Sequence, residues 1–355
     1  MGEPGEPHKP MANIRDIRRR IRSVKNTRQI TKAMKMVAAA KLRRAQERAL
    51  ASRPYAVMIT NILRSLMKRA DVYDEKTGEP KHPLLAQRPE QNILLVLVTG
   101  DRGLAGAFNA NVLKAASKFI AFFKDKNISI AAVGRKGRDF MRRRYPVRPE
   151  KSMERAGRIE IVGEHLNILG KLEYEAVSEI VERVIQAYKD AEIDSVYVIY
   201  NEFKSVISQR LIAQRILPVQ EIGRKEVALA EEFTLEQRER MGEAARAAGI
   251  SLKEVPESEE ERKAKEFLQS DIDYIYEQPP AEIFAGILPR YVVLQLFQAM
   301  LESVAAENAA RMTAMDSASN NANEVIDSLT LTMNRARQAA ITKEIIEIVS
   351  GAAAL

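Results

Sequence analysis

The sequence predicts an α+α/β chain: a long antiparallel coiled coil of N- and C-terminal helices, with a central Rossmann-like α/β domain between them. Three observations carry this expectation. Residues 12–53 and 291–350 contain neither glycine nor proline. Both stretches repeat apolar residues at the spacing of a coiled-coil seam. Between them, apolar runs of strand length alternate with stretches of helix length.

The chain opens on MGEPGEPHKP, a leader rich in proline and glycine, so residues 1–11 read as a disordered tail. The N-terminal helix is placed at 12–70. Its Gly- and Pro-free part alone would be about 63 Å long at ~1.5 Å per residue. Pro54 is expected to interrupt or kink it. Ile14, Ile17, Ile21 and Val24 follow a 3-4-3 step. Ile30, Met34 and Val37 are expected to continue the seam after a slip in phase.

The same helix is strongly basic. Arg15, Arg18, Arg19, Arg20, Arg22, Lys25, Arg28, Lys32 and Lys35 are opposed only by Asp16 before Glu47. An ordinary solvated helix mixes both signs as i,i+4 pairs, so a one-signed run suggests a positive shaft against a negative partner. A solvated charged face remains the alternative.

The central domain is placed at 91–218. Residues 92–99 (NILLVLVT), 128–133 and 195–200 (SVYVIY) are apolar runs of strand length. Helical stretches are expected up to Phe123, at RDFMRRR and over 166–189. One or two further strands are expected in 205–218. Such alternation argues a largely parallel sheet. Residues 223–270 differ in kind, being richer in charge than the ~25% of an average domain. They read as an exposed charged insertion with one or two short helices, or as disordered chain.

The C-terminal helix is placed at 281–351, and its Gly- and Pro-free part would be about 90 Å long. Leu294, Phe297, Leu301, Val304, Asn308, Met312 and Met315 form its seam, followed by Ile326, Leu329, Met333 and Ala336. Alanines at 38–40, 305, 306, 309 and 310 would let helix backbones approach closely. The economical arrangement pairs the two ends antiparallel; two separate long helices in a bundle are the alternative.

Composition narrows the function. Cys 0 excludes disulfides, thiolate metal sites and a cysteine nucleophile. His 3 leaves little for a metal site, and Trp 0 with 6% aromatics argues against stacking platforms for single strands. The 56 Lys+Arg against 48 Asp+Glu leave a net charge of +8, which suggests an acidic partner. No apolar run approaches the ~20 residues that span a bilayer. The leader lacks the apolar core of a signal peptide.

TGDRGLAGAFN at 99–109 sets glycines between a strand and a helix, where phosphate loops sit. It matches neither G-x-x-x-x-G-K-[ST] nor G-x-G-x-x-G, so a tight turn accounts for it. VGRKGRD at 133–139 could hold an anion through Arg135, Lys136 and Arg138 but need not. His8, His82 and His165 have no partner at ligand spacing. No catalytic, cofactor-binding or metal-binding residue is assigned.

Taken together, the ends carry a family signature. IRDIRRRIRSVKNTRQITKAMKMVAAAKLRRAQ at 14–46 and LTMNRARQAAITKEIIEIVSGAAAL at 331–355 resemble the two ends of the γ-subunit family of F-type ATP synthases. ASRPYA at 51–56, DRGLAGAFN at 101–109 and AARMTAMDSASNNA at 309–322 are similar to its interior motifs. The resemblance spans nearly the whole chain except the leader and residues 223–270.

It implies a coiled coil inside a head of alternating α and β subunits, and an α/β foot that docks with the ε subunit and the c-ring. The complex would work in ATP synthesis and hydrogen ion transport, the chain peripheral on the cytoplasmic face of the bacterial inner membrane. Catalysis would belong to the β subunits and none to this chain. Contacts with the head are implied at Met34, Lys35, Arg311, Arg337, Gln338 and Thr342. Photosynthetic members carry a regulatory dithiol in the region of 223–270, and Cys 0 rules that switch out here. The insertion is expected either to modulate rotation mechanically or by charge, or to be a tolerated surface insertion.

Two rivals remain. A basic coiled-coil nucleic-acid-binding protein would place its basic block before a clean zipper, whereas here apolar residues thread the basic block. A nucleotide-dependent enzyme would need the phosphate-loop lysine that is missing.

Overall fold

The computed structural model describes residues 14–70, 72–74, 76–146, 157–252, 259, 262 and 276–353. The leader and most of the acidic cluster at 259–261 therefore lie outside the described residues. The element order is α1 (Ile14–Arg69), β1 (Asn92–Val98), α2 (Phe108–Phe122), β2 (Asn127–Val133), α3 (Arg135–Arg144), β3 (Ile159–His165) and α4 (Tyr174–Lys189). Then follow β4 (Ser195–Phe203), β5 (Gln209–Leu217), β6 (Glu226–Glu232), α5 (Leu235–Ala247) and α6 (Pro280–Ala353). Contacts divide the chain into two compact units, one of residues 1–37 and 314–355, the other of 38–313. α1 and α6 each contribute to both, so the boundaries of these units are not those drawn from the sequence.

In the all-helical unit, α1 and α6 pack along an apolar cluster of Ile17, Ile21 and Ile326, joined by Val24, Leu329, Met333 and Ala336. The expected slip in phase does not occur. Burial along α1 follows an unbroken 3-4 repeat through Ile14, Ile17, Ile21, Val24, Arg28, Thr31 and Lys35. Ile30 and Val37, assigned to the seam from their apolarity, are 60% and 55% exposed. Geometry outranks side-chain chemistry here, because a 3.5-residue repeat fixes which positions face the partner helix.

The α/β unit holds one six-stranded sheet in the order β3-β2-β1-β4-β5-β6. β3, β2, β1 and β4 run parallel, while β5 and β6 are antiparallel additions. β1 and β4 are buried nearly throughout, which is why they read as continuous apolar runs. α2 covers one face over Leu95, Leu97, Ile128 and Ile130. α4 covers the other, packed with Leu94, Val96 and Val198 and with helix residues Leu63, Leu66, Val292 and Leu296.

Several expectations change. β3 was not anticipated; it is an edge strand only partly buried, and edge strands lack the long apolar run that marks central ones. The helix expected from 166 begins at Tyr174, after a short turn at Ile168–Lys171. α1 continues through Pro54, and α6 starts at Pro280 and passes through Pro289. Proline at a first helical position lacks only an N–H that would be unpaired anyway. One window of α6 is apolar enough to cross a membrane by length and composition, but half of it is buried within the chain, as in a core helix.

Residues 223–252 of the stretch read as an exposed insertion are built into the α/β unit. β6 pairs with β5 from Arg210↔Glu232 to Arg215↔Glu226. α5 is closed at its start by a capping box, with Thr234 accepting from the Gln237 N–H and Gln237 accepting from the Thr234 N–H. Its Met241, Ala244 and Ala245, with Ile250, share a core with Ala38, Leu42, Ala45, Ala305, Ala306, Ala309 and Met312. At its end, Arg43 donates to the carbonyls of Ala248 (3.4 Å) and Gly249 (2.9 Å). Charge on its outward face hid this small apolar face from composition.

Candidate functional site

Three cross-helix polar pairs follow one another in the helical unit. Arg28 donates to Asn323 Oδ1 at 2.8 Å, the Thr31 and Ser319 hydroxyls are 2.7 Å apart, and Lys35 Nζ lies 2.6 Å from Asp316 Oδ1. Side chains of the last pair are 15% and 18% exposed. Arg28, Thr31 and Lys35 occupy the seam positions where apolar residues would otherwise stand.

Outside the seam the basic run turns outward: Arg15, Arg18, Arg19, Arg20, Arg22, Lys25 and Lys32 are all exposed. Toward the end of α6, residues 341–350 are likewise exposed. They include Ile341, Ile345, Ile346, Ile348 and Val349, a wide apolar surface on one helix. Surface of this kind marks an interaction region in a water-exposed protein.

The six positions implied as head contacts separate into two groups. Arg337, Gln338 and Thr342 are exposed on α6, with the Thr342 hydroxyl bonded back to the Gln338 carbonyl at 3.0 Å. Met34 is half-buried. Lys35 is held by Asp316, as above. Arg311, in the α/β unit, donates to Glu307 Oε1 at 2.5 Å and reaches the Gly103 carbonyl at 3.5 Å. Both cations are thus engaged within the chain; Glu307 stands at the i,i+4 spacing from Arg311, whereas no local pattern points from Lys35 to Asp316.

The loop after β1 sits against α6. Glu307 Oε1 would lie 2.6 Å from a Cβ on Gly100, and Asn109 Oδ1 accepts the Gly100 N–H at 2.8 Å. A side chain at this position would have to displace the Glu307 carboxylate. Ala105 and Phe108 anchor the same loop in the core shared with Ala305, Ala306 and Ala309. Asp101 Oδ1 accepts the N–H groups of Arg135 (3.0 Å) and Asn167 (3.1 Å). The start of α3, where a phosphate would sit in a nucleotide-binding sheet, therefore receives the chain's own carboxylate. Gly134, at φ +91°, brings its backbone against Thr99, whose carbonyl would lie 1.9 Å from an added Cβ.

Beside β4 and β5 a charged group gathers around the buried Glu202. Lys225 Nζ meets Glu202 Oε1 (2.9 Å), the Tyr200 hydroxyl (3.0 Å) and Glu302 Oε1 (3.4 Å), and Arg210 also pairs with Glu202. Burial pushes Glu202 up, but its bonds to Arg210 and Lys225 outweigh that and hold it below the ordinary range. Glu302 is half-buried and shares Lys225 with Glu202, and loss of water around its carboxylate pushes it above the ordinary range. A cavity of about 400 Å³ adjoins Lys225, lined by Arg215, Arg224, Glu221 and Glu226 among others. Its mixed signs give no field selective for an anion. Among the described residues no group of three or more His, Asp and Glu could hold a metal.

The family described as ATP synthase matches residues 13–355. A protein named ATP synthase gamma chain from Solibacter usitatus is 46% identical over 344 residues, covering 97% of this chain and 99% of that one. Its namesake from Chloroherpeton thalassium is 43% identical over 351 residues, covering 97% and 99%. A chain of the Tetrahymena thermophila mitochondrial ATP synthase central stalk and c-ring is 23% identical, with a TM-score of 0.48, covering 82% of this chain and 99% of that one.

Proposed function

Because the chain belongs to the ATP synthase gamma-chain family, we propose that it is the central-stalk rotor of an F-type ATP synthase. Proton flow turns the c-ring, and the stalk turns with it. Each orientation then presents a different face of the shaft to each β subunit, and the catalytic sites cycle through their states. The chain supplies differential contacts, which are what a ligand-like partner needs to shift a conformational equilibrium. Chemistry stays on β.

The observation that carries this reading is the match from residue 13 to the end of the chain, over nearly the whole length of the relatives. The shape of the helical unit agrees with the role. A basic outer face would meet acidic loops of the α and β subunits, where opposite charge steers and orients contact. Arg337, Gln338 and Thr342 are the exposed positions offered to the head, with Met34 beside the seam. The bare apolar end of α6 would turn against an apolar sleeve. The α/β unit would meet the ε subunit and the c-ring, so the chain is peripheral to the cytoplasmic face of the membrane. Nucleic-acid binding by the basic helix has no support in these matches.

The test is ATP hydrolysis by the matching α and β subunits, purified with and without this chain. The reading expects a stable complex with one copy against three of each, and hydrolysis raised by the chain. A chain that neither co-purifies nor changes hydrolysis removes it.

A further inference from the structure

We propose that the three polar pairs Arg28–Asn323, Thr31–Ser319 and Lys35–Asp316 are a register lock, the feature that fixes how far α1 and α6 are advanced along each other in the helical unit. The inference does not depend on the rotor reading, and its test reads helix alignment alone.

The argument begins with what an apolar seam leaves open. A heptad repeat of apolar residues packs almost as well after a slip of seven residues, a displacement of about 10 Å along the axis. Polar residues at seam positions remove that degeneracy, because each must find its partner or be buried without one. In the observed register all three pairs are made, at 2.8, 2.7 and 2.6 Å.

Either slip breaks them. One direction sets Thr31 opposite Ile326 and Lys35 opposite Asn323, so the ammonium loses its carboxylate and a hydroxyl meets a buried isoleucine. The other sets Ser319 opposite Val24 and Asn323 opposite Ile21. Arg28 could then reach Asp316, but Lys35 is left alone and two polar groups face the apolar cluster of Ile17, Ile21 and Ile326. The Thr31 and Ser319 hydroxyls keep the carbonyls of Arg28 (3.0 Å) and Met315 (2.8 Å) in their own helices, so the penalty of a slip falls mainly on Lys35 and Asp316. The price is stability: an apolar seam of equal volume would hold the helices at least as firmly. What the polar pairs supply is a single alignment.

The natural chain has Cys 0, so introduced cysteines report alignment without background. Val24→Cys is combined in turn with a second cysteine at Ile326, in register, or at Ser319 or Met333, one heptad to either side. Disulfide yield is measured in the full-length chain under mild oxidation. With the other seam residues native, the 24–326 disulfide should dominate. With Lys35→Leu, Asp316→Leu and Thr31→Val introduced together, the 24–333 disulfide should rise by roughly tenfold, the scale of one buried unpaired polar group. Unchanged dominance of 24–326 overturns the proposal.

A second pair of variants covers failure of that triple variant to fold. Lys35→Asp sets two carboxylates together and should scatter the disulfides, and adding Asp316→Lys should restore the 24–326 product. Scatter without restoration, or no scatter, overturns the proposal equally.

Discussion

Arg311 and Glu307, one helical turn apart on α6, form an ion pair at 2.5 Å whose carboxylate also rests against Gly100 of the loop after β1. The side chains are 16% and 11% exposed. An i,i+4 pair on an open helix adds little to stability, but this one also touches the loop after β1, at Gly100 and at the Gly103 carbonyl.

Glu307→Ala should therefore destabilise the chain by about 2–4 kcal/mol, because Arg311 is left buried without its partner. Glu307→Ala combined with Arg311→Leu should recover part of that loss, since the unpaired charge is gone. Urea unfolding of the three variants measures both. Equal stability of the single and double variants would show that the pair acts as an ordinary surface contact.

Gly134→Ala should cost at least about 3 kcal/mol. The position combines φ +91° with a Thr99 carbonyl 1.9 Å from the new Cβ, so both backbone strain and a clash with backbone apply. Gly103→Ala, where an added Cβ meets nothing within 4 Å, should remain within about 0.5 kcal/mol of the natural chain. Thermal unfolding of the two variants gives the comparison.

α5 should behave as core, not as a surface graft. Ala245 is fully buried, and Ala245→Asp places a carboxylate among apolar side chains, at about 2–4 kcal/mol or complete loss of α5 docking. Hydrogen exchange over residues 235–247 reads the docking directly. Arg43→Ala should produce a smaller increase in exchange confined to the end of α5, where its two bonds to carbonyls are lost. Protection of α5 that survives Ala245→Asp would return it to the status of a surface insertion.

Acid should weaken the α/β unit through its histidines. Burial holds His82 below its ordinary value of 6.5, and burial does the same for His165. The unfolded chain then binds the proton more tightly. Stability is complete above pH 6.5 and is lost as pH falls from there toward each lowered folded value. His82 Nδ1 accepts the Leu84 N–H at 3.2 Å, and its ring meets Phe284 edge-on. His82→Asn preserves a capping acceptor and should flatten part of the loss between pH 7 and 5, leaving the share of His165. An unaltered pH profile in that variant would place the effect elsewhere.

The sequence made the architecture legible where a single force dominates. Long helices announce themselves through missing glycine and proline, and central strands such as NILLVLV through burial on both faces. Legibility fails where forces compete. Ile30 and Val37 are apolar yet face solvent, and Thr31 and Lys35 are polar yet face α6, since pairing with Ser319 and Asp316 satisfies them. β6 alternates exposed glutamates and alanines with half-buried Val227, Leu229 and Glu231, and α5 packs through alanine, glycine and one methionine. Neither has the bulk that a hydrophobic scan registers. Among the candidate site residues, exposure of Arg337, Gln338 and Thr342 could not be read from their types. The internal partners of Lys35 and Arg311 lie 281 and 4 residues away, the first beyond any local pattern.

The most direct measurement is single-molecule rotation. The chain carries Phe122→Cys, an 80% exposed site on α2 and its sole cysteine, labelled with a gold rod and assembled with the matching α and β subunits fixed to glass. With ATP supplied, the account predicts unidirectional rotation of the rod in three equal steps per turn, lost when ATP is withheld. A rod that stays still while the same complexes hydrolyse ATP would contradict the assignment of this chain as rotor.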